Sequence, residues 1–170
     1  MLNALRRSKD RKHTAACLNQ ALVARAREPV FFLTLGVQDT LDGRFDLVAL
    51  HAWLVLSRLT AAGATALSQA FVDTVFITFD EALRELGAGD IGIGKRLKKL
   101  AKAFYGRMRA YGEAKDEAAM EAALIRNLYR GANEPSAKVL ARYVLRAKAH
   151  LAASDLENGE LDFGPLPDEE

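Results

Sequence analysis

The residues from Gly87 to Lys95 come closest to a chemical motif, because their glycine spacing fits two phosphate-binding patterns. Gly87–Gly92 satisfies G-x-G-x-x-G, and Gly89–Lys95 satisfies the first seven positions of G-x-x-x-x-G-K-[ST]. Both patterns hold phosphate only where a strand leads into the loop and a helix follows it. Here a helical pattern precedes the glycines, and Arg96 stands where Ser or Thr would bind magnesium. We therefore predict a helix–helix connection and no nucleotide site.

The other candidates for catalysis or metal binding are isolated side chains. Asp73 and Asp80 share a helix face but lie seven residues apart, which is about 10 Å of helical rise and far for a cooperating carboxylate pair. His51 falls within an apolar helix, where a hydrogen-bonded core histidine is the expected role. His13 and Cys17 could supply two metal ligands, but the sequence offers no further two. We predict a protein that is not an enzyme and holds no metal or cofactor.

The stretch between Asp90 and Glu113 is basic and amphipathic, with no acid between these two residues. Its seven bases are Lys95, Arg96, Lys98, Lys99, Lys102, Arg107 and Arg109. A second basic row recurs every four residues near the end of the chain. We predict a docking face from the two rows, consisting of Lys95, Lys98, Lys99, Lys102, Lys138, Arg142 and Arg146. Such a face can contact anionic lipid, ribosomal RNA or acidic client loops, or serve as a solvated surface, and the sequence leaves these alternatives open.

Helical periodicity positions all of these residues, and strand-like alternation is absent. The pattern predicts a single compact all-α domain of six or seven helices. The predicted ranges are about 14–27, 29–35, 44–62, 65–86, 93–111, 116–130 and 135–153. A basic segment, residues 1–13, precedes this domain (14–153), and residues 154–170 are expected to form a flexible acidic tail.

Composition fits a soluble globular protein. The chain has 170 residues, 50% hydrophobic and 27% charged. Its most apolar stretch, Phe45–Leu59, contains Asp46, His51 and Arg58, so no membrane-spanning helix is expected. One cysteine allows no internal disulfide, which favours a reducing cytoplasm. Residues 155–170 hold seven acids and no base, so this tail could be a solvating segment or could compete with an anionic partner of the basic body.

Several blocks of the sequence resemble the ubiquinol–cytochrome c chaperone family, the assembly factors of respiratory complex III. The two most specific blocks contain D-T-L-D-G-R-F and L-R-E-L-G-A-G-D. The resembling pieces are ARAREPVFF (24–32), GVQDTLDGRFDLVALH (36–51), SQAFVD (68–73), FDEALRELGAGDIGIGKRLKKL (79–100) and AFYGRMRAY (103–111). The glycines that match the phosphate-binding patterns fall inside the fourth piece. This agrees with our interpretation of them as a helix–helix connection.

The resemblance implies an all-helical protein that binds newly synthesised or newly inserted cytochrome b until haem and partner subunits stabilise it. Mitochondrial relatives work with a small helical companion near the ribosomal exit, and whether this chain has a companion stays open. No extension precedes the matching region, so we expect a bacterial cytoplasmic form, with peripheral contact at the inner membrane as a further option. The ribosome and an anionic membrane surface are candidate partners, and DNA is not expected.

Candidate client-binding residues come from these blocks. The apolar candidates are Phe31, Phe32, Phe104, Tyr105 and Met108. The charged candidates are Arg44, Asp80, Arg84, Asp90 and Arg107, for which a cap or an ion pair within the bundle is the competing interpretation. The alternative function is a helical RNA- or ribosome-binding protein that uses the same basic face without chaperone activity.

Overall fold

A computed structural model describes residues 2–85, 87, 90–132 and 134–167, and for residues 2–5, 90 and 91 it describes the backbone only. These residues form seven α-helices and one short 3-10 helix, with no strand among them. The helices are α1 (Leu2–Ala26), α2 (Pro29–Leu33), α3 (Leu41–Ala61), α4 (Thr65–Glu85), α5 (Asp90–Glu113), α6 (Glu117–Asn127) and α7 (Ser136–Ala153), and the 3-10 helix is Leu156–Asn158. The predicted all-α fold is confirmed.

Helix α3 lies at the centre of the bundle because it is apolar on nearly every side. It packs against α1, α4, α5 and α7, and Leu47, Leu50 and Leu54 are fully buried. Each such side chain contributes about 1.5 to 3 kcal/mol when it leaves water. The helix begins at a side-chain cap, where the hydroxyl oxygen of Thr40 accepts a hydrogen bond from the Gly43 amide at 3.1 Å.

The other long helices surround α3 in pairs. Helix α1 packs on α4, and α6 packs on α7, while α5 crosses α3 and also contacts α4 and α6. The inward side of α5 is apolar, with Ile93, Phe104 and Tyr111 buried. Its opposite side faces solvent, so one helix supplies both a bundle contact and an exposed basic surface.

The described residues of the amino-terminal basic segment belong to the first helix. Helix α1 starts at Leu2 rather than near residue 14, so residues 2–13 continue the same helix. The sequence did not predict that the helix starts so early. In this segment the bases outnumber the apolar residues, so no apolar face is apparent.

Residues 154–167, the first part of the predicted acidic tail, lie against the bundle. Phe163 is buried and its ring meets that of His51 edge-on, with 5.2 Å between centroids. The guanidinium of Arg25 donates a hydrogen bond to the Gly164 carbonyl and lies over the Phe163 ring. Leu156 is buried as well. Residues 168–170 lie outside the described part of the chain.

Candidate functional site

A tight turn before α3 fixes where this helix begins. A Cβ on Gly43 would lie 2.0 Å from the Gln38 carbonyl oxygen, so only glycine allows these two backbone segments to approach. Asp39 and Arg44 form an ion pair across the same turn, with 2.6 Å between Oδ1 and Nε. The turn leaves Leu41, the first residue of α3, 48% exposed at the mouth of a groove.

This groove, which we call the apolar groove, lies between α1, α3, α4 and α5 and has a volume of about 410 Å³. Its lining is mostly hydrophobic and includes Val23, Phe45, Val48, Phe79, Leu83 and Leu100. The groove is open to solvent on one side. Pockets of this size and composition are typical of sites that bind an apolar ligand or a side of a helix.

A second groove adjoins the first and shares part of its lining. More cationic side chains line this groove than line the first one. It has a volume of about 400 Å³, and Leu41, Phe45, Leu83 and Leu100 line both grooves. Its cationic lining consists of Arg96, Lys99, Arg107 and Arg130. We call it the cationic groove. Together the two form a continuous depression that is apolar at one end and basic at the other.

The base of the cationic groove is organised by Asp46, a fully buried carboxylate on α3. Arg107 reaches its Oδ1 at 2.5 Å and Arg130 reaches its Oδ2 at 2.7 Å. Burial nevertheless raises the pKa of Asp46 to about 6, because the loss of hydration outweighs the attraction of the two guanidinium groups. The ionised carboxylate therefore holds two arginines at the groove, although burial disfavours its ionised form.

The two arginines link three parts of the bundle to this carboxylate. Arg107 on α5 donates to the carbonyl oxygens of Ala103 at 3.1 Å and Asn127 at 3.4 Å, and its guanidinium lies 5.1 Å from the Phe45 ring centroid. Arg130 follows α6 and has a φ of 58°, a left-handed conformation that is unfavourable for a residue with a side chain. Its ion pair with Asp46 helps to hold that backbone.

Several residues predicted to bind a client are instead part of the core. Phe31 and Phe104 are fully buried, where they pack with other aromatic rings. Arg107 is only 11% exposed, because its guanidinium turns inward to Asp46. We therefore remove Phe31 and Phe104 from the candidate contact surface. Arg107 lines the cationic groove but positions neighbouring groups rather than projecting from the surface.

The remaining predicted residues lie in different places. Phe32 and Met108 are half-buried, and Tyr105 is exposed. Asp80 and Arg84 form the predicted i,i+4 ion pair, 2.8 Å apart. The aromatic and charged candidates therefore do not converge on one site. Arg44 lines the apolar groove while paired with Asp39, and the side chain of Asp90 lies outside the described residues.

The two basic rows differ in their surroundings. Lys95, Lys98, Lys99 and Lys102 are all exposed on α5. In the α7 row, Lys138 is exposed, Arg142 forms an ion pair with Glu117 at 3.2 Å, and Arg146 is half-buried. Helix α7 packs mainly on α6 and α3. The structure thus supports a uniform exposed face on α5 and shows no such face on α7.

The candidates for enzymatic chemistry have structural roles in this fold. His51 is buried, its Nδ1–H donates to the Leu47 carbonyl at 2.8 Å, and its Nε2 accepts from the Tyr143 hydroxyl at 2.8 Å. Burial lowers the pKa of His51 to about 4. In the glycine cluster, Gly87 follows α4 while Gly92 and Gly94 lie within α5, so a helix rather than a strand precedes the cluster. Within the described residues no group of three or more His, Cys, Asp or Glu could hold a metal.

Sequence reasoning missed Asp46, Arg130 and Leu41 as members of the site. For Asp46 a signal existed, since a carboxylate in the most apolar helix of the chain requires a cationic partner. The partners themselves were not identifiable, because Arg107 and Arg130 are far from it in sequence.

In the described part of the chain, no helix is long and apolar enough to cross a membrane.

Comparison with known proteins gives this arrangement a family. The sequence pattern of the ubiquinol-cytochrome C chaperone family matches residues 33–158. Among solved structures, the chain is similar to the Cbp3 homolog from Brucella abortus, with a TM-score of 0.84 and 37% identity over 99% of both chains. No curated protein matches. The family match spans most of the chain and includes α3, α4 and α5, which form the greater part of both grooves. The chain therefore belongs to the ubiquinol–cytochrome c chaperone family.

Proposed function

We propose that this protein, a complex III assembly chaperone by family, holds newly made cytochrome b by docking an apolar segment of it in the apolar groove. The single observation that carries the proposal is the open hydrophobic groove with a basic end, found on a member of this family. The grooves are formed by helices that the family match includes, together with α1.

A multi-span membrane protein needs such a site before it is assembled. Its helices are too apolar to remain in water, and its exposed hydrophobic surface would otherwise lead to aggregation. A groove lined by several helices can accept the apolar side of one client helix, with side chains spaced three and four residues apart. Leu41 at the mouth, together with the half-buried Val23 and Val48 of the lining, would contact such a helix.

The basic end of the depression adds orientation to this apolar contact. Arg96, Lys99 and Arg130 line the cationic groove, and a client helix could place an acidic side chain or its own carboxyl-terminal end there. Electrostatic complementarity of this kind contributes chiefly to the choice of partner and the rate of association. The proposal therefore assigns affinity to the apolar groove and orientation to the cationic groove.

The test is a charge placed at the mouth of the groove. Leu41 is half-exposed and is the first residue of α3, where a carboxylate is compatible with the helix dipole, so Leu41→Glu should fold normally. Ile77→Glu is the matched control, because Ile77 is 58% exposed on α4 and does not line either groove. Cells that carry a tagged variant are assayed for cytochrome b that purifies with the tag.

We expect Leu41→Glu to lose most of the cytochrome b and Ile77→Glu to retain it. A photoreactive residue at position 41, but not at 77, should crosslink to cytochrome b. Equal capture by the two variants would contradict the assignment of the groove. Normal complex III content and a normal cytochrome b half-life in a strain that lacks the protein would contradict the proposed client as well.

A further inference from the structure

We propose that the outer side of α5 is a docking surface for an anionic lipid bilayer. This surface, which we call the α5 lysine face, consists of Lys95, Lys98, Lys99, Lys102 and Tyr105. All five are exposed, and steps of three and four residues place them on one side of the helix. From Lys95 to Tyr105 the face extends over about 15 Å of helix axis.

The four lysines form a cluster of one sign, because no acid lies between Asp90 and Glu113 in the sequence and no described carboxylate forms an ion pair with them. Some other exposed cations are paired, as Arg44 is with Asp39 and Arg109 is with Glu113. Soluble proteins usually mix both signs of charge on their surfaces. A cluster of one sign without neutralising partners instead indicates an anionic ligand.

An aromatic side chain at the end of the lysine row favours a bilayer over a nucleic acid. Tyr105 is 56% exposed, and its ring is stacked on that of Phe76 with 6.2 Å between centroids. The stacking occupies one side of the Tyr105 ring, so a base could stack only on the other side. Tyrosine and lysine both have an apolar body and a polar end, which suits the boundary between headgroups and acyl chains.

Docking of this face would bring the grooves to the membrane. Lys99 belongs to the α5 lysine face and also lines the cationic groove. If the proposed function is correct, apolar segments of the client would then be bound next to the bilayer that they enter. The docking itself does not depend on that function and is tested with the purified protein alone.

The first experiment measures flotation of the protein with vesicles of phosphatidylcholine that contain or lack phosphatidylglycerol. The test variant is Lys95→Glu with Lys98→Glu and Lys102→Glu. The matched control reverses three other exposed cations, Lys12, Lys115 and Arg126, and therefore changes the net charge equally. Lys115 and Arg126 lie near Glu113 in a region of mixed charge.

We expect the parent protein to bind only the anionic vesicles, and binding to weaken as salt is added. Each basic residue near such a surface is worth about a fivefold change in partition, so the loss of three should weaken binding by at least about a hundredfold, and repulsion of the three new carboxylates should weaken it further. The control variant should bind within a few-fold of the parent. Equal loss in both variants, or equal binding to neutral vesicles, would overturn the proposal.

A second variant reports directly on the aromatic end of the face. In Tyr105→Trp, the new indole should shift its emission to shorter wavelength when anionic vesicles are added, while the parent, whose Trp53 is 6% exposed, should not respond. An unshifted emission would contradict the proposal. Tight binding of an RNA oligomer through the same lysines, without vesicle binding, would assign the face to nucleic acid instead.

Discussion

The substitution Asp46→Asn tests whether the buried charge at the grooves stabilises the fold. Asn has nearly the same shape as Asp and resembles its protonated form. If the two ion pairs with Arg107 and Arg130 were net stabilising, their loss would destabilise the protein by about 3 to 5 kcal/mol, as expected for breaking a favourable buried pair. The structure leads to the opposite expectation.

The pKa of Asp46 gives the sign and the size of the effect. Its pKa rises from 3.8 to about 6 on folding, so the folded state disfavours the ionised form by roughly 3 kcal/mol. That value already includes the attraction of Arg107 and Arg130. At pH 7 the side chain is ionised in both states, so Asp46→Asn removes this disadvantage, and we expect the variant to be more stable by up to about 3 kcal/mol.

The pH dependence provides a second, independent readout. Between pH 4 and 6 the folded state holds a proton on Asp46 that the unfolded state has released, so this carboxyl stabilises the fold as the pH falls. The contribution amounts to about 1 kcal/mol between pH 7 and pH 5. Urea unfolding followed by circular dichroism at these two pH values should show the advantage of Asp46→Asn shrinking by that amount.

Comparison with the parent at each pH removes the effects of other groups. Burial lowers the pKa of His51 to about 4, and ion pairing lowers the pKa of Glu113, but both residues are the same in the two proteins. A variant that is several kcal/mol less stable than the parent at pH 7, or a difference that is the same at both pH values, would refute the reasoning.

Two further substitutions, with a third as a control, test the packing that holds the site and the tail. Gly43→Ala should destabilise the protein by about 1 to 3 kcal/mol in thermal unfolding, because its Cβ would meet the Gln38 carbonyl oxygen. In the control, Gly106→Ala, the new Cβ meets nothing within 4 Å. This control should therefore stabilise the protein by about 1 kcal/mol. Phe163→Ala should lower the free energy of unfolding by about 3 kcal/mol and expose residues 155–167 to hydrogen exchange, since its ring is buried against His51. Unchanged stability and exchange would mean that this segment is not packed in solution.

The helices could be predicted because each carries its own periodic pattern. The apolar residues of α4 and α5 recur every three or four positions, and glycines mark the ends of most segments. The packing of residues 154–167 could not be predicted in the same way. There the signal is one aromatic residue, Phe163, among acids and prolines, and its burial depends on Arg25 and His51, which are more than 100 residues away.

The candidate site was less accessible to sequence reasoning than the fold. The exposed lysines on α5 could be predicted from the charge pattern alone. A groove, in contrast, is formed by the gaps between helices, and no periodic pattern in the sequence describes those gaps. The same limit explains why Phe31 and Phe104 were assigned to a contact surface. An aromatic residue in a distinctive block has the same sequence signal whether it lies on the surface or in the core.

Two unfavourable features occur together at the grooves, and this coincidence supports a functional role there. Asp46 is ionised in an environment that raises its pKa, and Arg130 adopts a left-handed backbone conformation. Hydrophobic residues in place of both Asp46 and Arg107, with a glycine at 130, would relieve both, and none of these changes would remove a helix. What would be lost is the fixed position of two guanidinium groups beside the apolar groove. Strain of this kind is typical of binding sites, where stability is lower than the fold could otherwise reach.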